Sequence, residues 1–274
     1  MPPEIRTRFA PSPTGLLHLG HAFSALTAEA RARGGKFLVR IEDLDRARCR
    51  PEYETALIED LHWLGLRFPP PLRQSDHLPR YQSALDRLIA RGLCYPCACS
   101  RSDIRAALAA PQEGAANQVY PGTCRQRRIE DRGPDDAIRL NLAHALAGQG
   151  VLDWLETGEA AGPTQLDPAL LVTMTGDIIL SRRDIGPAYH LSVVVDDAAQ
   201  RISEVVRGVD LSEATGIQRL LQAVLELPTP TYHHHRLIRD ETGKRLAKRD
   251  DARALRRYRA EGATPGDIRA MLGL

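Results

Sequence analysis

The chain has 274 residues, 43% hydrophobic and 26% charged, with a formal net charge of only +2. That length holds one large core plus an insertion or small second unit, and the balance excludes a disordered or strongly polybasic chain. Five cysteines, an odd number, argue against a disulfide framework. No apolar run reaches the roughly 18 residues of a membrane span, and Met1-Pro2-Pro3-Glu4 has no basic and apolar leader, so a cytoplasmic protein is expected.

The alternating run Ile5 to Phe9 reads as a strand, and Ala22 to Arg31 as a helix. Between them lies R-F-A-P-S-P-T-G-L-L-H-L-G-H, from Arg8 to His21. Pro11 and Pro13 stiffen the exit from the strand, and Gly15 and Gly20 allow a tight turn and close approach to a ligand. A helix that starts past such a loop aims unpaired N–H groups and its positive dipole end at whatever sits there. His18 and His21, three apart, face the same way. The stretch predicts a phosphate site with two imidazole donors.

Lys36 to Ile41 is a second strand, giving a βαβ unit, and Glu42-Asp43-Leu44-Asp45 places acids at its carboxyl edge, where open α/β sheets bind ligands. Amphipathic helices follow at Pro51 to Leu64 and Pro79 to Arg91, with Trp63 in the first as a core residue. Cys97 and Cys99, with the distant Cys124, suggest a thiolate metal site whose fourth ligand is open. On softness alone Cys94 completes it. Ala137 to Leu140 reads as a strand.

The sheet is expected to resume at Asp177 to Arg182, and β-branched Val193-Val194-Val195 to form a buried strand. Ile202 to Gly208 is a further strand ending in Arg207, a planar, permanently charged fork suited to a carboxylate, as is Arg8. Leu211 to Leu225 is a helix. Tyr232-His233-His234-His235 reads as a strand rather than a metal site, since no acid or thiol is adjacent. Gly243 to Arg249 is a basic loop, and two short helices close the chain. The arginine clusters at 125–128, 182–183 and 253–259 are solvated faces or phosphate contacts.

P-S-P-T-G-x-L-H-L-G-H resembles the "HIGH" motif of class I aminoacyl-tRNA synthetases, here His18-Leu19-Gly20-His21, and R-F-A-P-S-P-T-G and R-I-E-D-x-D are similar to their glutamate and glutamine branch. A-Y-H-L-S-V-V-V-D-D resembles a region of glutamyl ligases, and His234 matches a histidine recurring in the branch. Arg245-Leu246-Ala247-Lys248-Arg249 stands where the class carries "KMSKS", departing from it at the first, third and last positions. Some short relatives have C-x-C followed by Y-x-x-x-C, which maps onto Cys97, Cys99, Tyr120 and Cys124.

The resemblance implies an α/β Rossmann-like parallel sheet, its first half at 1–94, an insertion with a zinc site at 95–176, its second half at 177–240, and the KMSKS-like loop with C-terminal helices at 241–274. It implies catalysis by His18, His21 and Lys248, with ATP on these and Gly20. L-Glutamate would be bound by Arg8, Phe9, Ala10, Pro11, Ser12, Glu42 (ammonium), Tyr189 and Arg207. One structural zinc and magnesium accompanying ATP are expected. Only about 25 residues follow Arg249, too few for an anticodon-binding domain of roughly 50 residues. This is similar to truncated paralogues, expected as monomers, that glutamylate queuosine in tRNA(Asp). A glutamyl-tRNA synthetase charging tRNA(Glu), or a non-catalytic tRNA-binding paralogue, are the alternatives.

Overall fold

The computed structural model describes residues 4–100, 102–104, 119–239 and 253–274. Arg6–Phe9 (β1), Leu19–Arg31 (α1) and Lys36–Ile41 (β2) form the predicted βαβ unit, with Thr7 opposite Phe37 and Phe9 opposite Val39 in a parallel ladder. Pro51–Trp63 (α2), Leu72–Arg73 (β3) and Leu78–Ala90 (α3) follow, β3 pairing in parallel with β2. Cys94–Cys97 (β4), Ala137–Leu140 (β5), Leu142–Leu146 (α4), Asp153–Glu156 (β6), Gly162–Gln165 (β7), Pro168–Met174 (α5), Ile179–Arg182 (β8) and Gly186–Pro187 (β9) lead to Tyr189–Ala199 (α6). Glu204–Gly208 (β10), Ala214–Val224 (α7), Thr231–His235 (β11), Leu255–Ala260 (α8) and Pro265–Leu272 (α9) complete the order.

β10 pairs with β11 and β11 with β6, both in parallel, while β7 pairs with β6 as an antiparallel hairpin. β1 lies beside β10: the Ser203 N–H donates to Arg6 O at 3.0 Å, and the Arg6 N–H to Ser203 Oγ at 2.8 Å. The strands therefore run β3, β2, β1 in one ladder and β10, β11, β6, β7 in another, the two set side by side at β1 and β10. From β1 the chain adds β2 and then β3 on one side, and from β10 it adds β11 on the other, beside the earlier β6–β7 hairpin. That reversal opens a crevice at the carboxyl ends of β1 and β10, the usual ligand position in such sheets.

One core joins α1, α2 and the C-terminal helices to β1 and β2 through Phe9, Phe23, Leu26, Leu57, Leu61, Leu255 and Ile268. Burying each such side chain contributes roughly 1.5–3 kcal/mol. A second joins α3, α6 and α7 to β5 and β8, through Tyr81, Leu88, Ile138, Leu180, Val193 and Leu220.

Three expectations change. Val193-Val194-Val195 is helical, within α6. β-Branching lowers helix propensity only slightly, and this helix, apolar through its middle and flanked by buried Asp196 and Asp197, fills the space between α3, α7 and the sheet. The strand expected at Asp177 to Arg182 is present as β8, but it pairs antiparallel with β5 in a separate sheet ordered β4, β5, β8, β9. Conversely β6 and β7, from residues expected in the insertion, extend the parallel sheet. Strand periodicity names a strand and not its partner. No helix among the described residues is long and apolar enough to cross a membrane.

Candidate active site

The loop after β1 is tied to its neighbours through its own backbone. Glu42 N–H donates to Pro11 O at 3.0 Å, and Arg50 N–H to Pro13 O at 3.0 Å. His18 then caps α1: its Nδ1 accepts from the Gly20 N–H at 3.1 Å, while His21 Nδ1 accepts from the His18 N–H at 3.2 Å. The two bonds form a reciprocal capping box with histidines in the places usually held by Ser and Glu. The ring centroids are 3.8 Å apart. Since each neutral ring accepts at Nδ1, each carries its proton on Nε2 as a donor. The pairing at three residues thus follows from capping as well as from a shared face.

A cavity of about 620 Å³ sits at the crevice. Arg8, Phe9, Ala10, Pro11, Ser12, His18, Gly20, His21, Glu42, Tyr189 and Arg207 all line it. Of the residues expected to serve ATP and glutamate, Lys248 alone lies outside the described residues. Ser24, Asp210 and Arg236, not expected at the site from the sequence, also line the cavity, as does His235, which the sequence offered only within a strand. Ser24 was legible, three residues beyond His21 on the same helix face.

The cavity's charges are arranged unevenly. Arg8 is buried, its Nε donating to Asp197 Oδ1 at 3.0 Å and its Nη1 to Val206 O at 3.2 Å. Arg40, fully buried, bonds the same Asp197. Burial opposes charge on Asp197, yet Arg8 and Arg40 hold its carboxyl below the usual carboxylate range. Arg207 is equally buried but among the described residues bonds only neutral groups: His234 Nε2 at 3.0 Å, Gln218 Oε1 at 2.7 Å and Thr215 Oγ1 at 2.7 Å. Burial pushes the Glu42 carboxyl up to about 7, against the pull of Arg40 and Arg8. The cavity therefore presents a cation without a carboxylate partner and an acid held near its proton. A ligand with an acidic end and an ammonium end complements both.

A second centre lies in the small core of Tyr95, Cys97, Tyr120 and Cys124. The sulfurs of Cys97, Cys99 and Cys124 lie within 4.8 Å of one another. Cys99 and Cys124 are 3.5 Å apart, and the Tyr120 hydroxyl is 3.4 Å from Cys97 Sγ and 3.7 Å from Cys99 Sγ. A tetrahedral metal with the usual sulfur and oxygen bond lengths sets sulfur–sulfur edges of about 3.8 Å and sulfur–oxygen edges of about 3.5 Å. The Cys99–Cys124 separation and the two tyrosine separations lie close to those values. Burial disfavours the Cys124 thiolate, but hydrogen bonds from Tyr120, the Ala98 backbone and Cys99 bring it down to about 7. Cys94, the choice on softness alone, stands outside the cluster, and burial pushes its thiol up to about 12. Successive strand residues alternate faces, so Cys94 and Cys97, three apart on β4, point to opposite sides.

Residues 4–274 match the family of tRNA synthetases class I (E and Q), catalytic domain. The chain belongs to that family. It is accordingly a ligase with the class I catalytic fold. It is 55% identical to the Glutamyl-Q tRNA(Asp) synthetase of Rhodobacter capsulatus, across 98% of this chain and 99% of that one. It is 41% identical to the Glutamyl-Q tRNA(Asp) synthetase of Albidiferax ferrireducens, across 90% and 85%. Among solved structures, the glutamate-tRNA synthetase of Elizabethkingia anophelis superposes with a TM-score of 0.73 at 24% identity, over 90% of this chain and 53% of that chain. A glutamate tRNA ligase from Elizabethkingia meningosepticum, in complex with its amino acid, gives 0.71 at 25% identity, over 90% and 52%. The chain thus spans about half the length of those two synthetases.

Proposed function

We propose that this class I synthetase activates L-glutamate with ATP, without tRNA, and transfers it to queuosine in the anticodon of tRNA(Asp). The observation that carries the amino-acid half is Arg207, a buried cation whose bonded partners among the described residues are neutral, in one cavity with Glu42. Arg207 takes the side-chain carboxylate, Glu42 the ammonium, and Arg8, already paired with Asp197, a secondary share of the acid. Phe9, Ala10, Pro11, Ser12 and Tyr189 shape the rest of the pocket.

A glutamate α-carboxylate oxygen attacks the α-phosphorus of ATP, and the bond to the departing pyrophosphate breaks. His18, His21 and the positive end of the α1 dipole beside Gly20 offset the charge that gathers on the phosphates. Magnesium accompanies ATP as part of that substrate. Lys248 adds a cation to the same phosphates. In support, the described residues on either side of its segment lie at the site: Ile238 lines the cavity, and Ala254 forms a bridge with His18. A hydroxyl of the modified base then attacks the activated carbonyl, and AMP leaves. The name carried by relatives up to 55% identical supports queuosine in tRNA(Asp) as acceptor. Cys97, Cys99, Tyr120 and Cys124 hold one zinc ion, which ties the end of β4 to the segment from Tyr120 to Cys124.

Labelled glutamate and ATP, offered to tRNA(Asp) with and without queuosine and to tRNA(Glu), test the reading. Label is expected only on queuosine-bearing tRNA(Asp), with pyrophosphate exchange in the absence of any tRNA. Label on tRNA(Glu) instead would make the protein a glutamyl-tRNA synthetase, and absence of both activities a non-catalytic tRNA binder.

A further inference from the structure

Arg207 projects from β10 into the cavity through a wall that contains no carboxylate bonded to it among the described residues. Its Nε–H needs an acceptor, and that acceptor is the Nε2 of His234, on the neighbouring strand β11 directly opposite in the ladder. A neutral imidazole accepts at Nε2 only if its proton is on Nδ1. Glu156, at the end of β6, fixes that choice: its Oε2 is 2.5 Å from His234 Nδ1. Glu156 in turn cannot swing away. Its Oε1 accepts from the backbone N–H groups of Thr157 at 3.1 Å, Gly158 at 2.7 Å and His234 at 3.0 Å. A side chain at Gly158 would collide with the His234 backbone, so the turn that supplies one of these donors needs glycine.

We propose that Glu156 and His234 are positioning residues, which set Arg207 for the substrate's side-chain carboxylate and keep its charge unspent. An acid in direct contact with Arg207 would hold the fork as firmly but would neutralise it before substrate arrived. Placing the acid one imidazole further back separates the two tasks. The histidine passes on orientation as a neutral acceptor, and the carboxylate selects the tautomer. The inference rests on the reading of Arg207 given above.

Glu156→Gln tests it without emptying space. The three backbone donors claim the amide oxygen, so the amide nitrogen faces His234 Nδ1 and moves the ring proton to Nε2. Two donors, His234 Nε2–H and Arg207 Nε–H, then oppose each other. In glutamate-dependent pyrophosphate exchange by the full chain, KM for glutamate should rise about 10- to 100-fold, the equivalent of one buried hydrogen bond lost. KM for ATP and kcat should stay within about threefold of the parent. Nitrogen-15 spectra should show the His234 proton moving from Nδ1 to Nε2. His234→Gln places an amide oxygen where Nε2 was, so adding it to Glu156→Gln should restore most of the glutamate affinity, which a merely structural role would not do. An unchanged glutamate KM in Glu156→Gln, beside a large rise in Arg207→Ala, overturns the positioning pair and leaves the site's reading standing. An unchanged KM in Arg207→Ala overturns that reading, and the pair with it.

Discussion

Arg8 and Asp197, 189 positions apart in the chain, meet in a buried ion pair at 3.0 Å. Asp197 serves Arg40 as well, from the adjacent strand. Asp197 near the end of α6 is thus shared between two arginines, Arg40 having Asp196 at 3.8 Å as a second acid, while Arg207 on the other wall bonds no carboxylate among the described residues. Asp197→Ala should leave two buried cations short of a partner and lower unfolding free energy by about 3–5 kcal/mol. Urea denaturation at neutral pH measures it, and a loss under 1 kcal/mol would mean the pair is far more hydrated than its burial indicates.

Glutamate affinity should depend on pH through Glu42. Its carboxyl is held up to about 7 by burial, and the ammonium of the substrate needs the ionised form. Binding should therefore release a proton below neutrality, with affinity rising as pH increases through about 7 and levelling above it. Calorimetry at pH 6.5 in two buffers of different ionisation heat would detect the proton. Glu42→Gln should bind weakly with a flat profile, and an equally sloped profile in that variant would assign the titration to another group.

Metal analysis of purified protein should return one zinc per chain, lost on prolonged chelation together with cooperative unfolding of the segment around Cys97 and Cys124. Cys124→Ser and Tyr120→Phe should both lower zinc content, and Cys94→Ser should not. Retention of full zinc in Tyr120→Phe would remove the phenol from the ligand set.

Asp60 links pH to stability away from the cavity. It is buried at 1% exposure, and among the described residues its Oδ2 has no hydrogen-bond partner and the cation Arg259 stands 3.9 Å from its Oδ1. Burial raises its carboxyl to about 6, with Arg259 offsetting part of the effect. The fold holds this proton more tightly than the unfolded chain does. Its contribution is therefore fully present below about pH 4 and is lost as pH rises through 6. Asp60→Asn should raise stability at pH 8 by about 1–3 kcal/mol and flatten that part of the profile. Thermal melts from pH 4 to 8 would show whether the slope persists.

Lys248→Ala should depress pyrophosphate exchange by about 100-fold or more while leaving glutamate affinity within about threefold, as for a group acting on the transition state alone. Equal losses in both would make Lys248 a binding residue instead.

The sequence by itself determined the strand–loop–helix at Arg8 to His21, the acids after β2, and the cysteine spacing. These are local: a run of neighbours carries both the backbone preference and the chemical groups, so their association does not depend on distant contacts. It did not determine that Val193 to Val195 would be helical, because burial on both sides outweighs a weak β preference. It did not reveal which sheet β8 would join, since alternation along a strand is silent about its partner. Nor could it show that Glu156, His234 and Arg207 would stand in line, or that Asp197 would take up Arg8 and spare Arg207. Those groups come from separate strands and a helix, and only the tertiary structure, by bringing them into one poorly hydrated space, decides which charges cancel and which remain for a ligand.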